Sequence, residues 1–180
     1  MNPVPRYQAS DFDAVAMCRA MDARRAELGL SWKGVADALW EQSALLNAQR
    51  NDHPISASTL TGIAKRRDCT CQHALFILRW LDVTPEHFVD GARDTKAARL
   101  PDVGSDHRLR WDLKALYAAL DEARQQRDMT WTALAEAIGC TSHQLTGIKT
   151  ARYAISMVLA MRIVQWLGRP AAAFVYAARW

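Results

Sequence analysis

The hydrophobic positions between residues 130 and 152 are spaced as in two helices that meet at a sharp turn. The apolar side chains at these positions are Leu134, Ala135, Ile138, Leu145 and Ile148. Spacings of three and four residues place each set on one face of its helix, and the small Ala135 suits a close helix crossing. Gly139 stands between the two sets, where glycine adopts a left-handed backbone conformation at low cost. The segment therefore predicts a helix, a tight turn and a second helix.

The remaining positions of the second helix are polar or basic. They are Ser142, His143, Thr146, Lys149 and Thr150. An exposed polar helix that follows such a turn is typical of proteins that read base edges in the major groove of DNA. We therefore interpret residues 130–152 as a candidate DNA-reading segment.

The same pattern of apolar and polar residues occurs twice along the chain. Residues 12–39 match residues 111–138 at a constant offset of 99, without a gap. The similarity resumes at offsets of 85 and 86, in the matched segments Leu60-Thr61-Gly62-Ile63 with Leu145-Thr146-Gly147-Ile148, Trp80-Leu81 with Trp166-Leu167, and Phe88-Val89 with Phe174-Val175. Because the matched residues occur in the same order over this length, they indicate a tandem repeat of two domains. We place these domains at residues 10–90 and 109–180.

The pattern of apolar and polar residues in each repeat predicts five helices. Ser31 and Thr130 are candidate N-caps for the second helix, and the short fifth helix begins near Thr84-Pro85 or Pro170, because proline suits the first helical position. The other predicted spans are 12–28, 56–65 and 71–81 in the first repeat, and 111–127, 141–149 and 155–167 in the second. No alternating pattern of useful length appears, so we predict an all-α fold of two tandem five-helix domains.

The first repeat contains an insertion at residues 41–54, EQSALLNAQRNDHP, where the second has its tight turn. Leu45 and Leu46 continue the apolar face of the preceding helix, which we expect to extend to about Gln49. Asn51-Asp52-His53-Pro54 then turns the chain. The insertion leaves open whether the third helix of the first repeat enters a groove of DNA.

Residues 91–108, GARDTKAARLPDVGSDHR, are polar and contain Gly, Pro and mixed charges, which predicts a linker. About 18 residues reach up to roughly 60 Å when fully extended. Two half-sites one DNA turn apart are separated by about 34 Å. The linker is therefore long enough for both repeats to sit on one face of a duplex.

Composition favours a helical protein in the cytoplasm. The 180 residues are 50% hydrophobic and include only 8 Gly and 6 Pro. No window approaches 18 consecutive apolar residues, and the N-terminus has no apolar run with a basic flank, so we expect neither a membrane span nor a signal peptide. The four cysteines are irregularly spaced, which in a helical chain without a signal peptide indicates reduced thiols.

Positive charge is concentrated in the second repeat. Residues 12–90 hold nine Lys or Arg and ten Asp or Glu, whereas residues 108–180 hold ten and five. No acidic residue follows Glu136, and the cations beyond it include Lys149, Arg152 and Arg162. A surface that carries mainly positive charge suits the binding of a polyanion. The alternative is an ordinary basic surface without a nucleic-acid partner.

The sequence contains little that suggests catalysis or metal binding. Cys69, Cys71 and His73 form a C-x-C-x-H set, but a zinc site needs four converging ligands, and the second repeat has no counterpart to this set. No Gly-rich phosphate loop, H-E-x-x-H or G-x-S-x-G motif occurs. We therefore expect no metal, no cofactor and no enzymatic activity.

At the level of these motifs, both repeats resemble the lambda-repressor/Cro-like helix-turn-helix proteins, also called the XRE family. In the second repeat, MTWTALAEAIGCTSHQLTGIKTAR resembles the family's helix 2, turn and helix 3, and VLAMRIVQWLGRPAAAF its helix 4 and the start of helix 5. In the first, SWKGVADAL, SASTLTGIAKRR and ALFILRWLDVTPEHF resemble the same parts. The resemblance implies compact five-helix domains, sequence-specific binding of duplex DNA, two-fold partners and regulation of transcription.

The resemblance also implies roles for individual residues. In the second repeat, Ser142, His143 and Thr146 would face base edges, Thr141 would cap the reading helix, and Trp131, Lys149 and Arg152 would face phosphates. In the first, the matching residues are Ala57, Ser58 and Thr61 for bases, Ser56 for the cap, and Trp32, Lys65, Arg66 and Arg67 for the backbone. Two alternatives remain open. The cations also complement the helix dipole, and the two tryptophans replace the glutamine that is common in the family, so they also suit packing.

Two functions follow as hypotheses. The leading one is a transcriptional regulator that binds double-stranded DNA, with its two repeats acting as an intramolecular pseudo-dimer. The alternative is a module for protein interaction or homodimerisation in which one repeat, most plausibly the first, has lost DNA binding. Neither hypothesis calls for a membrane, and no small-molecule effector is evident from the sequence.

Overall fold

The computed structural model describes residues 9–90, 99–150 and 154–179, and this part of the chain is mainly helical. The first repeat contains five α-helices followed by a 3-10 helix, Pro85–Phe88. The α-helices are α1 (Ala14–Glu27), α2 (Trp32–Glu41), α3 (Ala44–Asn47), α4 (Ala57–Arg66) and α5 (Cys71–Leu81). Four of them match predicted helices, and α3 lies within the insertion.

The second repeat is framed by two short strands. Its elements are β1 (Arg108–Trp111), α6 (Leu113–Gln126), α7 (Trp131–Ile138), α8 (Ser142–Gly147), a 3-10 helix (Ile148–Thr150), α9 (Met157–Leu167), a 3-10 helix (Ala171–Phe174) and β2 (Val175–Ala178). The strands pair antiparallel, with Trp111 opposite Val175. The predicted helical class is confirmed for the described residues, and this two-stranded sheet is a detail that the prediction did not include. Strands of four residues are too short for their alternation to be recognised in the sequence.

Each long helix begins beside the end of its own repeat. The backbone N–H of Asp13 donates to the carbonyl of Phe88 at 2.7 Å, and that of Asp112 donates to the carbonyl of Phe174, also at 2.7 Å. Both aspartates are N-caps whose carboxylates accept from the first turn. The helices therefore start two residues later than predicted, because the preceding aromatic residues lie in extended segments.

The structure confirms the two N-caps predicted for the second helices. It also corrects the prediction for the fifth helix of each repeat. The Ser31 hydroxyl accepts from the N–H of Gly34, and that of Thr130 from the N–H of Ala133, each at 3.1 Å. The fifth element of each repeat is a single 3-10 turn. Pro85 occupies its first helical position as predicted, whereas Pro170 is the N-cap residue, one position earlier.

The insertion does not extend the second helix to Gln49, as the sequence suggested. That helix ends at Glu41, because Ser43 leaves the helical conformation (φ −123°) and its hydroxyl donates to the carbonyl of His107 at 2.7 Å. In the short α3 that follows, Leu46 is 2% exposed but Leu45 is 59% exposed. The insertion is thus a separate element that packs on residues 56 to 64 positions further along the chain.

Residues 99–107, in the predicted linker, lie against the first repeat. The guanidinium of Arg79, on α5, donates to the carbonyl of Val103 at 2.8 Å and to that of His107 at 3.3 Å. The N–H of Leu46 donates to the carbonyl of Ser105 at 3.1 Å. The described end of the linker is therefore part of the folded structure, and residues 91–98 lie outside the described residues.

Arg108 joins the insertion to the first strand of the second repeat. Its side chain is 5% exposed, and its guanidinium donates to the carboxylate of Asp52 and to the side-chain carbonyl of Asn47, both at 2.6 Å. It also lies over the Trp40 ring, 4.6 Å from the centroid. A buried cation needs such partners because its desolvation is costly. The insertion supplies two of them, which gives it a structural role.

Buried apolar side chains of both repeats form one continuous hydrophobic core. Leu60, Ile63 and Leu75 belong to it from the first repeat, and Leu145 and Ile163 from the second. Strand β1 packs against α5, and α5 packs against α9, so that the core crosses from one repeat to the other. The two repeats are therefore packed together, rather than held apart by their connection.

Candidate nucleic-acid interface

The turn between α7 and α8 has the predicted left-handed geometry. Gly139 has φ +80°, and the N–H groups of Gly139 and Cys140 both donate to the carbonyl of Ala135, at 2.8 and 2.9 Å. A Cβ atom at Gly139 would lie 3.3 Å from Nη1 of Arg162. Both the backbone conformation and the neighbouring guanidinium therefore favour glycine at this position.

A reciprocal capping box fixes the start of α8. The Thr141 hydroxyl accepts from the N–H of Gln144 at 3.2 Å, and the Gln144 side chain accepts from the N–H of Thr141 at 2.9 Å. This interaction satisfies two backbone donors that a helix start would otherwise leave unpaired. Gln144 was not among the predicted site residues, although the Thr-x-x-Gln spacing in the sequence is the signal for such a box.

The apolar face predicted for this segment is buried. The side chains of Leu134, Ala135, Ile138, Leu145 and Ile148 are each at most 3% exposed. Their burial orients α8 so that its other face points to solvent. That face carries His143, Gln144 and Thr146, which are exposed, while Ser142 is half-buried. The Thr146 hydroxyl donates to the carbonyl of Ser142 at 3.1 Å, so the exposed side chain offers its oxygen as an acceptor.

Helix α8, the candidate reading helix of the second repeat, is shorter than the predicted span 141–149. It ends at Gly147, and Ile148–Thr150 continues as a 3-10 turn that carries the exposed Lys149. Glycine weakens a helix interior by about 0.5–1 kcal/mol relative to alanine, which is consistent with this early end. Arg152, the second predicted phosphate contact, lies outside the described residues.

In the first repeat, α4 presents a similar exposed face. The Ser56 hydroxyl caps the helix by accepting from the N–H of Thr59 at 3.1 Å, and the side chains of Ser58 and Thr61 are exposed. The helix ends with three exposed cations, of which Arg67 has a left-handed backbone (φ 56°). The cations are Lys65, Arg66 and Arg67. The insertion lies before α4, and it leaves this face open to solvent.

Arg66 folds back along its own helix. Its guanidinium donates to the carbonyl of Thr59 at 3.3 Å, and it occupies the space that a Cβ of Gly62 would need, 2.5 Å from that position. Gly62 therefore permits this packing. The guanidinium of Arg66 is consequently placed beside α4 along its length, whereas the predicted role required only a cation at the helix end.

Trp131 packs within the second repeat. Its ring stacks on Tyr117 at a centroid distance of 5.4 Å and an interplanar angle of 16°, and the Arg124 guanidinium lies 4.8 Å from its centroid. Arg124 also donates to the carboxylate of Asp121 and to the carbonyl of Met129. These contacts support the packing interpretation of Trp131 over the phosphate-binding one.

The first repeat contains the same arrangement around Trp32. The Arg25 guanidinium lies 5.2 Å from the Trp32 centroid and donates to Asp22 at 2.7 Å and to the carbonyl of Leu30 at 2.9 Å. At the offset of 99, three of these residues are identical in the second repeat, and Leu30, which contributes only its backbone carbonyl, corresponds to Met129. The duplicated contacts anchor the first helix of each repeat to the start of the second helix.

Arg162 holds the turn rather than presenting its charge to solvent. Its Nη1 donates to the carbonyl of Gly139 at 2.8 Å, and its Nε donates to the carboxylate of Asp11 at 2.6 Å. The hydrogen bond from Arg162 lowers the pKa of Asp11 below its ordinary value. Arg162 was predicted to be part of a basic surface, and its pairing with Asp11 reduces its contribution to that surface.

The two repeats contact each other through equivalent residues. Thr70 and Ser156 form an isolated antiparallel bridge, in which the N–H of Cys71 donates to Ile155 at 2.9 Å and the N–H of Met157 donates to Cys69 at 2.8 Å. At the offset of 86, Cys69 corresponds to Ile155 and Cys71 to Met157, so the two hydrogen bonds join equivalent positions in opposite directions. In a two-fold contact, a residue of one unit binds a second residue of the other unit, and the equivalent bond is formed in the reverse direction, as it is here. Nothing in the sequence pattern indicated it.

The thiols near this bridge are not arranged for metal binding. Cys69 and Cys71 are buried, and desolvation raises the pKa of each thiol to about 12, whereas burial lowers the pKa of His73. Metal ligation requires the thiolate form, which this environment disfavours. Within residues 9–90, 99–150 and 154–179, no three His, Cys, Asp or Glu side chains are grouped to hold a metal ion.

Comparisons with protein-family models, with curated proteins and with solved structures return no match for this chain. Among the helices that the structure describes, none combines the length and the apolar character needed to cross a bilayer.

Proposed function

We propose that this protein is a sequence-specific regulator that binds double-stranded DNA through two helix-turn-helix repeats of the lambda-repressor/Cro-like type. The observation that carries the proposal is the geometry of α7, Gly139 and α8. A left-handed glycine and a capping box fix α8, its apolar face is buried, and its polar face is exposed. In this arrangement a short helix is held rigidly by its scaffold while its side chains are open to the base edges of a major groove.

The direct contact at Thr70 and Ser156 supports a pseudo-dimer within one chain. Homodimeric regulators place two identical reading helices on two half-sites that are related by two-fold symmetry. Here the segments that follow α4 and α8 meet through matched residues, so a similar relation arises without a second chain. The reading helices differ, with Ala57, Ser58 and Thr61 in one and Ser142, His143 and Thr146 in the other. The two half-sites should therefore differ in sequence.

The chemistry of α8 suits a mixed recognition surface. The ring nitrogens of His143 donate to or accept from base edges, the Ser142 hydroxyl does both, and the Thr146 hydroxyl, which donates its proton to the carbonyl of Ser142, accepts. Lys149, in the 3-10 turn after the helix, supplies a cation for the phosphate backbone, and the carboxylate of Asp121 on α6 lies within electrostatic reach of it. Positioning on the duplex would come mainly from cations, and sequence preference from α8.

A binding-site selection from random duplex DNA tests this proposal. The expected result is one enriched motif with two unlike halves about one helical turn apart. Selection repeated with His143→Ala should relax the preference in one half and leave the other unchanged. Failure to enrich any motif at low salt, with protein shown to be folded, would contradict the proposal.

A second candidate function is an interaction module built on the first repeat. Val15 and Ala64 occupy positions where the second repeat has Lys114 and Lys149, although Lys65, Arg66 and Arg67 keep the end of α4 basic. Leu45, on the insertion, is 59% exposed. Light scattering after gel filtration separates the candidates. A homodimer that Leu45→Glu converts to monomer would favour the interaction module, and a monomer in both cases would exclude a dimer through the insertion.

A further inference from the structure

A cavity of about 250 Å³ lies beside α4 in the first repeat, between α1, α2 and α4. Cys18, Trp32, Leu60 and Ala64 line it. Arg19 and Asp22 also line it, and their side chains are 74% and 54% exposed, which places them at its opening. The cavity therefore has a largely apolar interior and two opposite charges at its mouth.

The second repeat shows what fills the equivalent space. Tyr117 matches Cys18 at the offset of 99, and its ring stacks on Trp131, the counterpart of Trp32. The Asp–Arg pair that holds the tryptophan is the same in both repeats. The second repeat thus carries an aromatic ring on its own chain here, whereas the first repeat has the tryptophan without that ring. Of the other residues that line the cavity, Val15, Arg19 and Ala64 stand where the second repeat has Lys114, Ala118 and Lys149.

We propose that this cavity is a binding site for a small, uncharged, one-ring aromatic molecule of the phenol class, stacked on Trp32. An enclosed apolar cavity of about 150 Å³ is known to accept benzene. The volume here is larger and open to solvent, so it is sufficient for a substituted ring whose polar group faces the opening. Offset stacking on an aromatic side chain contributes roughly 0.5–1.5 kcal/mol beyond the burial of apolar area. The stacked pair of Tyr117 and Trp131 shows that this geometry is accommodated by the fold.

The charges at the opening favour a phenol over an aromatic carboxylate or amine. Asp22 accepts from Arg25 at 2.7 Å, and Arg19 lies 3.9 Å from Asp13, so that each charge already has an opposite partner. An ionic ligand would meet a like charge as well as an opposite one. A hydroxyl group both donates and accepts, which suits an opening with one guanidinium and one carboxylate. Burial raises the pKa of the Cys18 thiol, so the cavity wall is neutral.

The inference does not depend on DNA binding, and the experiment needs no DNA. Full-length protein is titrated with 4-fluorophenol and followed by fluorine NMR, which measures occupancy and stoichiometry. One site is expected in the wild type. Cys18→Tyr should abolish it by supplying the ring, and Tyr117→Cys should create a second site by removing one. Cys18→Ala keeps the cavity and should keep the site, which separates the effect of volume from that of the thiol.

Far-UV circular dichroism confirms that each variant is folded. If Cys18→Tyr does not fold, Ala64→Leu narrows the same cavity from α4, at an exposed position where the second repeat carries the longer Lys149. It should weaken binding at least about tenfold, which corresponds to 1.4 kcal/mol. The proposal would be overturned if the wild type did not bind 4-fluorophenol, or if both Cys18→Tyr and Ala64→Leu bound it as tightly as the wild type. Loss of binding in Cys18→Ala would equally contradict it.

Discussion

Thr70 and Ser156 lie opposite each other at the contact between the two repeats, and each caps the helix that follows it. Their side chains accept from the N–H groups of His73 and Leu159 at 3.2 and 3.1 Å. The two backbone hydrogen bonds flank this pair rather than join it. In such a non-hydrogen-bonded antiparallel pair the Cα atoms are about 4.5 Å apart. The contact thus fixes the two repeats relative to each other at matched positions.

A disulfide at this contact tests whether DNA binding uses the observed arrangement. We expect Thr70→Cys combined with Ser156→Cys to oxidise readily, because the pair is within the distance range of disulfides. The neighbouring Cys69 and Cys71 should not compete, since burial raises the pKa of each to about 12. The oxidised variant should bind duplex DNA as tightly as its reduced form, which is the matched control for the two lost caps. Tighter binding by the reduced form would show that the repeats must separate.

Replacement of Gly139 should destabilise the fold, whereas replacement of Gly147 should not. Gly139→Ala introduces a Cβ at φ +80°, 3.3 Å from the Arg162 guanidinium, and we expect a loss of about 1–2 kcal/mol in the free energy of unfolding. A Cβ at Gly147 meets no atom within 4 Å, so Gly147→Ala should be neutral or stabilising by up to about 1 kcal/mol. Urea denaturation measures both. Equal effects would contradict the role assigned to the turn.

The insertion should contribute to stability through Asp52. Asp52→Ala leaves the buried Arg108 cation with one fewer partner, and we expect a loss of about 1–3 kcal/mol in the free energy of unfolding. Asp37→Ala is the control, because Asp37 and Lys33 form an ion pair whose side chains are 58% and 80% exposed. That change should cost less than about 0.5 kcal/mol. Similar losses in both variants would show that the insertion does not hold β1 in place.

Stability should fall in acid, in part through Asp11. Arg162 lowers the pKa of Asp11 in the folded protein below the ordinary value of 3.8, so the folded state binds this proton less readily than the unfolded state. The stabilisation is complete above that ordinary value and is lost as the pH falls through the lower, folded value. Asp11→Asn should therefore show a shallower decline of the unfolding free energy below about pH 4. Parallel curves for the wild type and the variant would contradict this assignment.

Local signals in the sequence predicted the helices and the turn well. The left-handed Gly139, the caps Ser31 and Thr130, and the buried face from Leu134 to Ile148 all depend on residues within a few positions of each other. The exposed face of α8 follows from the same periodicity. Whether that face binds DNA is a separate question, because periodicity predicts exposure and not the partner.

Features that depend on distant residues were not predictable in the same way. The break at Ser43 results from a hydrogen bond to His107, and the burial of Arg108 depends on Asp52, which lies in the insertion. The contact between Thr70 and Ser156 requires the two repeats to pack together. Each of these is a tertiary effect that overrides the local pattern, as are the two four-residue strands.

The most direct test of the central claim, that α8 and its flanking cations bind DNA, is the salt dependence of affinity for the selected duplex. Each phosphate contact adds about 0.9 to the magnitude of the slope of log K against log salt. Lys149→Ala with Arg152→Ala should therefore reduce the slope by about 1.8 and weaken binding. Arg99→Ala with Arg179→Ala is a charge-matched control: Arg99 lines a cavity with residues from the C-terminal end of α5, and Arg179 follows β2. Fluorescence anisotropy should show the reduced slope only in the first variant. Equal affinity and equal slope in all three proteins would contradict the account.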